Sequence, residues 1–317
     1  MKSTLSKVII VLSVLSLAVQ IFGGIALIHH INKPLHLNLI GFAILLELAA
    51  FFILSPYMRT IYKQLGVKIG VGESVLLIFA SEGYSHLLPF GDYIAQRIYF
   101  TRTKRPSGPI VDYIVVLYSG CLVALASMFI VLQLFVSVLF PNKITGSFAG
   151  KFAYIPFAFT LLIFSLLLAR KSVKFRRRVT DFCVRYFKEP LRSPIAILKG
   201  LHLSSARTLL LISPLFITWV VEGLGYVCCL YAFNVHAPML LCLYVYSFVK
   251  VFRFIPIFPG GVGEIETVSS LLFSSYGYAI APVIGGSILF RLVSYWLPIS
   301  IGAGSYFALF KRRRVLT

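Results

Sequence analysis

Charged side chains inside long apolar segments are the residues of this sequence best suited to chemistry. Glu47, Glu222 and Arg291 each interrupt an apolar run long enough to cross a lipid bilayer. One such charge at the centre of a bilayer costs about 2.5–3.5 kcal/mol on insertion scales. Residues of this kind therefore face the interior of a helical bundle. We expect them either to form ion pairs that lock helices together or to bind a polar group within the membrane.

Further ionisable residues surround two points where proline and glycine interrupt apolar stretches. Residues 88–92 read Leu-Pro-Phe-Gly-Asp, and residues 258–264 read Phe-Pro-Gly-Gly-Val-Gly-Glu. In both, an apolar helix is followed by Pro, Gly and an acid that suits the start of the next helix, where the helix dipole favours negative charge. Irregular backbone at membrane depth is tolerated only where it is buried or lines a cavity. The two interruptions are therefore predicted to contribute to one site.

The predicted site binds a substrate and performs no catalysis. Carboxylates would contact cationic or hydroxyl groups, and arginines would contact phosphate, which suits the guanidinium fork. The alternative for Arg97 and Arg253 is an interfacial position, and the alternative for the acids is a structural ion pair. The predicted substrate-binding residues are Pro89, Gly91, Asp92, Arg97, Glu222, Arg253, Pro259, Gly260, Gly261, Gly263, Glu264, Glu266 and Arg291.

The composition places the chain in a membrane. Hydrophobic residues make up 59% of 317 residues, above the 45–50% of a soluble domain. The net charge is +20, but the basic residues lie between the apolar runs, where they set topology and face anionic lipids. This distribution argues against a nucleic-acid partner and against a sizeable water-soluble domain.

The apolar runs predict an all-α polytopic integral membrane protein. About six full spans are joined by two Pro/Gly-broken helical hairpins, 73–100 and 238–277. Basic residues cluster before the first run, at 170–207 and at the end of the chain, so the positive-inside rule places both termini inside the cell. The predicted spans are 8–28, 37–57, 109–140, 152–169, 208–233 and 282–310.

The same distribution of charge makes the two hairpins enter from opposite faces, which is typical of an inverted repeat with a binding site near the midplane. We therefore predict one transmembrane domain over residues 1–317. Its repeat-like halves are 1–169 and 208–317, and the basic cytoplasmic loop 170–207 joins them.

Neither a cofactor nor a metal is predicted. The five cysteines show no metal-ligand spacing and no disulfide framework. The first apolar run, 8–28, is long enough to span and is read as a retained helix, with a cleaved signal peptide as the alternative.

Two groups of residues resemble a known family. Residues 258–266 (Phe-Pro-Gly-Gly-Val-Gly-Glu-Ile-Glu), then Leu-Phe-Arg-Leu at 289–292 and Trp-Leu-Pro at 296–298 before Gly302, resemble the closing motif of the lysylphosphatidylglycerol synthase transmembrane (flippase-like) family. Residues 87–92 with Arg97 resemble its earlier Leu-Pro-x-x-Gly-Glu…Arg motif, with Asp92 where Glu is usual.

The resemblance implies a membrane domain associated with translocation of aminoacylated or glycosylated lipids, here a stand-alone member without the soluble synthase domain. The leading hypothesis is a flippase-like translocase for an aminoacylated, glycosylated or polyprenyl lipid, in a multi-pass protein of the plasma (inner) membrane. Its partners would be membrane phospholipids or the lipid-linked substrate, and a cell-envelope synthase or glycosyltransferase. If transport is uphill, Glu222 or Glu264 would carry a coupling proton.

Two other functions stay open. A membrane-embedded transferase acting on a lipid-linked sugar would use Asp92 or Glu264 as a base or metal ligand, although the sequence has no clustered Asp-x-Asp. A non-transporting accessory subunit of a cell-envelope pathway would scaffold other enzymes. Because the leading hypothesis involves no chemical change in the lipid, the chain is expected not to be an enzyme.

Overall fold

The computed structural model describes residues 34–87, 91–106, 205–254 and 263–314, with isolated positions between 110 and 136. Only the backbone is described at 87, 205–212, 251–254, 264 and 310–314. The predicted spans 8–28 and 152–169, the signal-peptide alternative and most of the basic loop 170–207 lie outside the described residues.

All regular secondary structure in the described part of the chain is helical, which confirms the predicted all-α class. The helices are α1 (Leu37–Gln64), α2 (Val71–Leu87), α3 (Gly91–Arg102), α4 (Ser205–Ala232), α5 (Met239–Phe254), α6 (Glu264–Ser275), α7 (Ile280–Arg291) and α8 (Leu297–Arg314), with a π-helical turn, Leu292–Trp296, between α7 and α8.

Three helical segments of the described chain are long and apolar enough to cross a membrane. They are Leu37–Gln64, Ser213–Ala232 and Ile280–Leu309, the last formed by α7, the π-turn and most of α8. A hydrocarbon core of about 30 Å takes roughly 20 helical residues, and all three segments reach that length. The predicted six spans and the cytoplasmic termini concern more of the chain than the structure describes.

Two pairs of short helices occupy the positions of the predicted hairpins. In the first pair α2 has 17 residues and α3 has 12; in the second pair α5 has 16 and α6 has 12. Each helix is shorter than the roughly 20 residues of a full span. Each pair follows a helix of 28 residues, α1 or α4. The same order of long, medium and short helices thus occurs twice.

The two long helices α1 and α4 lie side by side and run antiparallel. The backbone N–H of His36, just before α1, donates to the carbonyl of Ala232 at the end of α4, at 3.3 Å. Asn234 Nδ2 donates to the carbonyl of Pro34 at 3.2 Å. The beginning of α1 and the end of α4 are therefore at the same end of the bundle.

Glycines allow the remaining helices to approach closely. A Cβ on Gly302 of α8 would lie 2.5 Å from the Phe79 carbonyl oxygen and 3.0 Å from Gly83 Cα of α2. A Cβ on Gly286 of α7 would lie 2.9 Å from Leu230 Cα of α4. Small residues at helix contacts are the usual means of close packing between helices in membranes. These contacts hold α8 against α2 and α7 against α4.

The π-turn separates α7 from α8 directly after Arg291. The N–H of Leu297 donates to the carbonyl of Leu292, five residues earlier, and Pro298 has no N–H to donate. A wider turn accommodates a proline inside a long helix, and such turns are frequent at functional sites. Arg291 therefore lies where the helix departs from regular geometry.

Candidate functional site

At the first predicted interruption, the start of α3 packs tightly against the end of α2. A Cβ on Gly91 would lie 1.9 Å from the carbonyl oxygen of Tyr84, so only glycine fits at this position without movement of the backbone. Asp92 follows in the first turn of α3 and is buried. Its Oδ1 accepts a hydrogen bond from the backbone N–H of Tyr93 at 2.8 Å. Local capping thus stabilises this carboxylate at the start of a helix.

Arg97 lies one turn further along α3. Its Nη1 donates to the hydroxyl of Tyr93 at 3.1 Å, and its guanidinium lies 5.8 Å from the centroid of the Tyr93 ring. The side chain is only partly buried. These contacts place Arg97 along the surface of its own helix.

The first buried ion pair joins α4 to α5. Glu222 is 8% exposed and forms a salt bridge with Lys250, which is 7% exposed. The hydroxyl of Tyr246 donates to Glu222 Oε2 at 2.8 Å. The Glu222 carboxylate thus accepts hydrogen bonds from an ammonium and from a hydroxyl. These contacts offset the cost of a carboxylate charge at a depth where an isolated charge would be expensive.

The ammonium of Lys250 also faces two aromatic rings. It lies 5.6 Å from the centroid of Trp219 and 5.7 Å from that of Tyr246. Both distances fall within the roughly 6 Å over which a cation is attracted to a ring face. Lys250 is therefore held by a carboxylate and two aromatic faces, a set of contacts that we call the lysine box (Trp219, Glu222, Tyr246).

The second buried ion pair joins α6 to α7. Arg291 Nη2 donates to Glu266 Oε2 at 3.1 Å. The arginine side chain is 1% exposed, whereas that of Glu266 is 14% exposed. Gly263, immediately before α6, has φ +82°, a left-handed conformation that favours glycine. The structure thus brings two of the predicted site residues into direct contact.

Three aromatic rings lie between the two ion pairs. Tyr226 contacts Tyr246 at 5.9 Å and Phe290 at 5.1 Å between ring centroids, and Phe290 contacts Tyr246 at 5.8 Å. Phe290 precedes Arg291 in the chain, and Tyr246 bonds to Glu222. The Tyr226 hydroxyl donates to Ser269 Oγ at 2.6 Å. This aromatic cluster connects the two pairs.

Charges from both hairpin regions lie within electrostatic range of Cys121: Glu82 and Asp92 from α2 and α3, and Glu222 and Lys250 from α4 and α5. Glu222 and Lys250 lie outside the second interruption, 258–264, so a site shared by the two interruptions stays a prediction.

The remaining predicted residues are less fully placed. Arg253 lies in the last turn of α5 and Glu264 begins α6, with only their backbones described. Lys250, Trp219 and Tyr246 were not among the predicted site residues. A lysine and a tyrosine four residues apart on an apolar helix were the available signal, because such residues share a helix face. Outside the described residues lie Pro89, Pro259, Gly260 and Gly261.

Within the part of the chain that the structure describes, no group of three or more His, Cys, Asp or Glu side chains could hold a metal ion. The arrangement offers paired ammonium, guanidinium and carboxylate groups in a low-dielectric interior. A charged side chain in this interior needs a partner of opposite charge. That partner can be another side chain or a charged group of a ligand.

Comparison with known protein families identifies the chain. The lysylphosphatidylglycerol synthase TM region matches residues 5–302, which is nearly the whole chain and includes both helical hairpins and both buried ion pairs. No match was found among curated proteins. The chain is therefore a membrane protein that belongs to the lysylphosphatidylglycerol synthase transmembrane family.

Proposed function

We propose that this protein is a multi-pass lipid translocase that moves a phosphate-bearing lipid headgroup between the leaflets of the plasma (inner) membrane. The ion pair between Arg291 and Glu266 is the observation that carries the proposal. Arg291 is fully buried in the segment Ile280–Leu309, which is long and apolar enough to cross a membrane. A guanidinium at such a depth is costly, and its planar fork can bind a phosphate in a bidentate manner.

Exchange of partners would move the headgroup at low energetic cost. Glu266 neutralises Arg291 while the site is empty, and its partial exposure leaves a side from which a phosphate can approach. A phosphate that replaces the carboxylate keeps the arginine paired, so no bare charge is created in the interior. The Glu266 carboxylate is then available to a cationic or hydroxyl group of the same headgroup.

The repeated helix order supports this mechanism. A helix of 28 residues followed by helices of 17 and 12 residues in the first half corresponds to 28, 16 and 12 in the second. The two long helices are antiparallel, as an inverted repeat requires. In transporters with inverted repeats, substrates bind between the halves near the midplane. The same arrangement here would place the headgroup between the two hairpins.

The lipid itself is proposed from the family alone. Membership associates the chain with lipid modification or transport, and we infer an aminoacylated, glycosylated or polyprenyl lipid of the cell envelope as the substrate. A synthase or glycosyltransferase that makes this lipid would be the natural partner.

The first experiment is mass spectrometry of lipids that co-purify with the wild type and with Arg291→Ala. We expect one phosphate-bearing lipid class to be enriched by the wild type and lost in the variant. Arg105→Ala is the matched control, because Arg105 pairs with Glu73 at 3.1 Å where both side chains are 24% exposed. Equal, bulk-like lipids in all three samples would contradict the proposal.

The second experiment measures transport in liposomes with a fluorescent analogue of the enriched lipid. We expect Arg291→Ala to slow translocation about tenfold, equivalent to roughly 1.4 kcal/mol. Arg291→Lys should fall between the two, because lysine keeps the charge and lacks the bidentate fork. Unchanged transport in Arg291→Ala would favour the accessory-subunit alternative, and a chemically altered lipid would favour the transferase.

A further inference from the structure

The lysine box has the composition of a binding site for an ammonium ion. A cation over aromatic faces with a carboxylate beside it is how proteins recognise ammonium groups of ligands. Here Trp219 and Tyr246 supply the faces, Glu222 supplies the carboxylate, and the occupant is the protein's own Lys250. The lysine therefore occupies the place in which a ligand cation would be bound.

Packing between α4 and α5 holds the walls of the box independently of Lys250. A Cβ on Gly223 would lie 2.9 Å from Tyr246 Cδ1 and 2.7 Å from Leu243 Cδ2, so both side chains press on the α4 backbone. The Tyr246 ring also contacts Tyr226 and Phe290, and its hydroxyl is bonded to Glu222. Withdrawal of Lys250 would leave the Tyr246 ring and the Glu222 carboxylate in position.

We propose that the lysine box recognises the ammonium group of a lipid headgroup, and that Lys250 is a tethered competitor which the headgroup must displace. This inference rests on the proposed function and names the chemical class of its substrate. Displacement frees Lys250 on α5, so entry of the headgroup is coupled to the second hairpin. The competitor also keeps the box closed to weakly bound cations.

The experiment measures binding and not transport, so that its failure is distinguishable from failure of the proposed translocation. The protein has two tryptophans, and Trp296→Phe leaves Trp219 as the single fluorescent reporter inside the box. In that background, Lys250→Met and Lys250→Arg are placed in nanodiscs containing phosphatidylglycerol with increasing phosphatidylethanolamine.

Lys250→Met removes the cation from the box. We expect the Trp219 emission of this variant to respond to phosphatidylethanolamine at about tenfold lower content than that of the Trp296→Phe parent. A tenfold change corresponds to the free energy of a desolvated contact between a cation and an aromatic ring. Lys250→Arg keeps a cation in place and should respond no earlier than the parent. Adding Glu222→Gln to Lys250→Met should abolish the response.

Two results would overturn the inference. One is that the Trp219 emission of Lys250→Met and that of its parent respond equally to phosphatidylethanolamine. The other is that Lys250→Met responds to soluble ethanolamine in pure phosphatidylglycerol nanodiscs, which would make a free amine the ligand. If Lys250→Met does not fold, Trp219→Phe and Trp219→Leu replace it with co-purified lipid as the readout. Retained phosphatidylethanolamine should then fall in the order Trp, Phe, Leu, and equal retention would refute the site.

Discussion

The two short-helix hairpins of this protein have similar helix lengths, but the buried contacts described for them differ in kind. In the first, Gly91 packs directly on the Tyr84 backbone, and the hydroxyl of Tyr62 on α1 donates to the buried amide oxygen of Gln96 on α3. In the second, buried ion pairs join α4 to α5 and α6 to α7. Its Gly263 meets no atom within 4 Å of an added Cβ.

The difference indicates which contacts support the fold and which contacts can exchange one partner for another. A neutral hydrogen bond and a close glycine contact depend on fixed geometry and have no alternative partner. A buried ion pair contributes little net stability compared with apolar packing, yet it is costly to leave half-broken. A region built from such pairs is stable only while each charge has a partner, and the partner can be a ligand. We therefore expect the Gly91 and Tyr62 contacts to support the fold, and the two buried ion pairs to be the contacts that exchange partners.

The largest effect on stability is expected from breaking the Glu222–Lys250 pair. Glu222→Ala leaves a buried ammonium without its carboxylate, and we expect a loss of about 3–5 kcal/mol in unfolding free energy. Lys250→Met in the same chain should recover most of that loss, because both charges are then gone. Denaturant titration in detergent checks both variants. A double variant as unstable as the single one would show that the carboxylate acts otherwise than by pairing Lys250.

Alanine substitution of the two glycines at the interruptions, Gly91 and Gly263, should cost different amounts of stability. Gly91→Ala forces a Cβ against the Tyr84 carbonyl, and we expect a loss of about 3 kcal/mol, at the upper end of overpacking costs. Gly263→Ala has open space and strains only the left-handed backbone, at about 1–2 kcal/mol. Thermal unfolding of both variants tests the order. Equal losses would mean that the first connection is not held by this contact.

Loss of the neutral hydrogen bond between Tyr62 and Gln96 should lower the unfolding free energy by less than loss of one partner of a buried ion pair. Tyr62→Phe leaves the buried amide oxygen of Gln96 without its donor, at a cost of about 1–3 kcal/mol. Tyr226→Phe is the matched control in the second half. The acceptor that loses its donor there is the hydroxyl oxygen of Ser269, which keeps its own O–H for hydrogen bonding, so the loss should be smaller. The same unfolding assay compares them. A larger loss in Tyr226→Phe would contradict the supporting role of the bond between Tyr62 and Gln96.

The smallest effect is expected at the half-exposed pair of Arg105 and Glu73. Arg105→Ala should change the unfolding free energy by about 0.2–1 kcal/mol, since solvent screens both side chains. Raising the salt concentration should reduce the difference from the wild type further. A loss as large as that of Glu222→Ala would remove the contrast between surface and interior pairs.

Much of this arrangement was predictable from residue order. Proline and glycine end a helix locally, so helix ends on either side of residues 88–90 and before Glu264 followed from the sequence. Charges in apolar runs have to be buried and paired, which anticipated the burial of Glu222 and Arg291.

The choice of partner was not predictable. Lys250 and Glu222 lie on different helices, and a lysine near the end of an apolar helix fits an interfacial position equally well. Their contact depends on Gly223, which lets α5 press on α4 at that level. Similarly, an acid–arginine pair between α6 and α7 requires the chain to fold back at residues 276–279, and no local rule determines which acid then faces Arg291.

The π-turn at Leu292–Trp296 fixes the phase of the last helix relative to the rest of the bundle. A regular α-helix rotates by about 100° per residue, so a wide turn holding one additional residue offsets all that follows by that angle. Gly302 lies after this turn, and its face must meet Gly83 on α2. If residues 292–296 formed a regular α-helical turn with no residue removed, Arg291 would stay in place, but Gly302 would rotate by about 100° and another residue would face Gly83, where no side chain fits. The charged site and the glycine contact between α8 and α2 are thus set in register by one irregular turn.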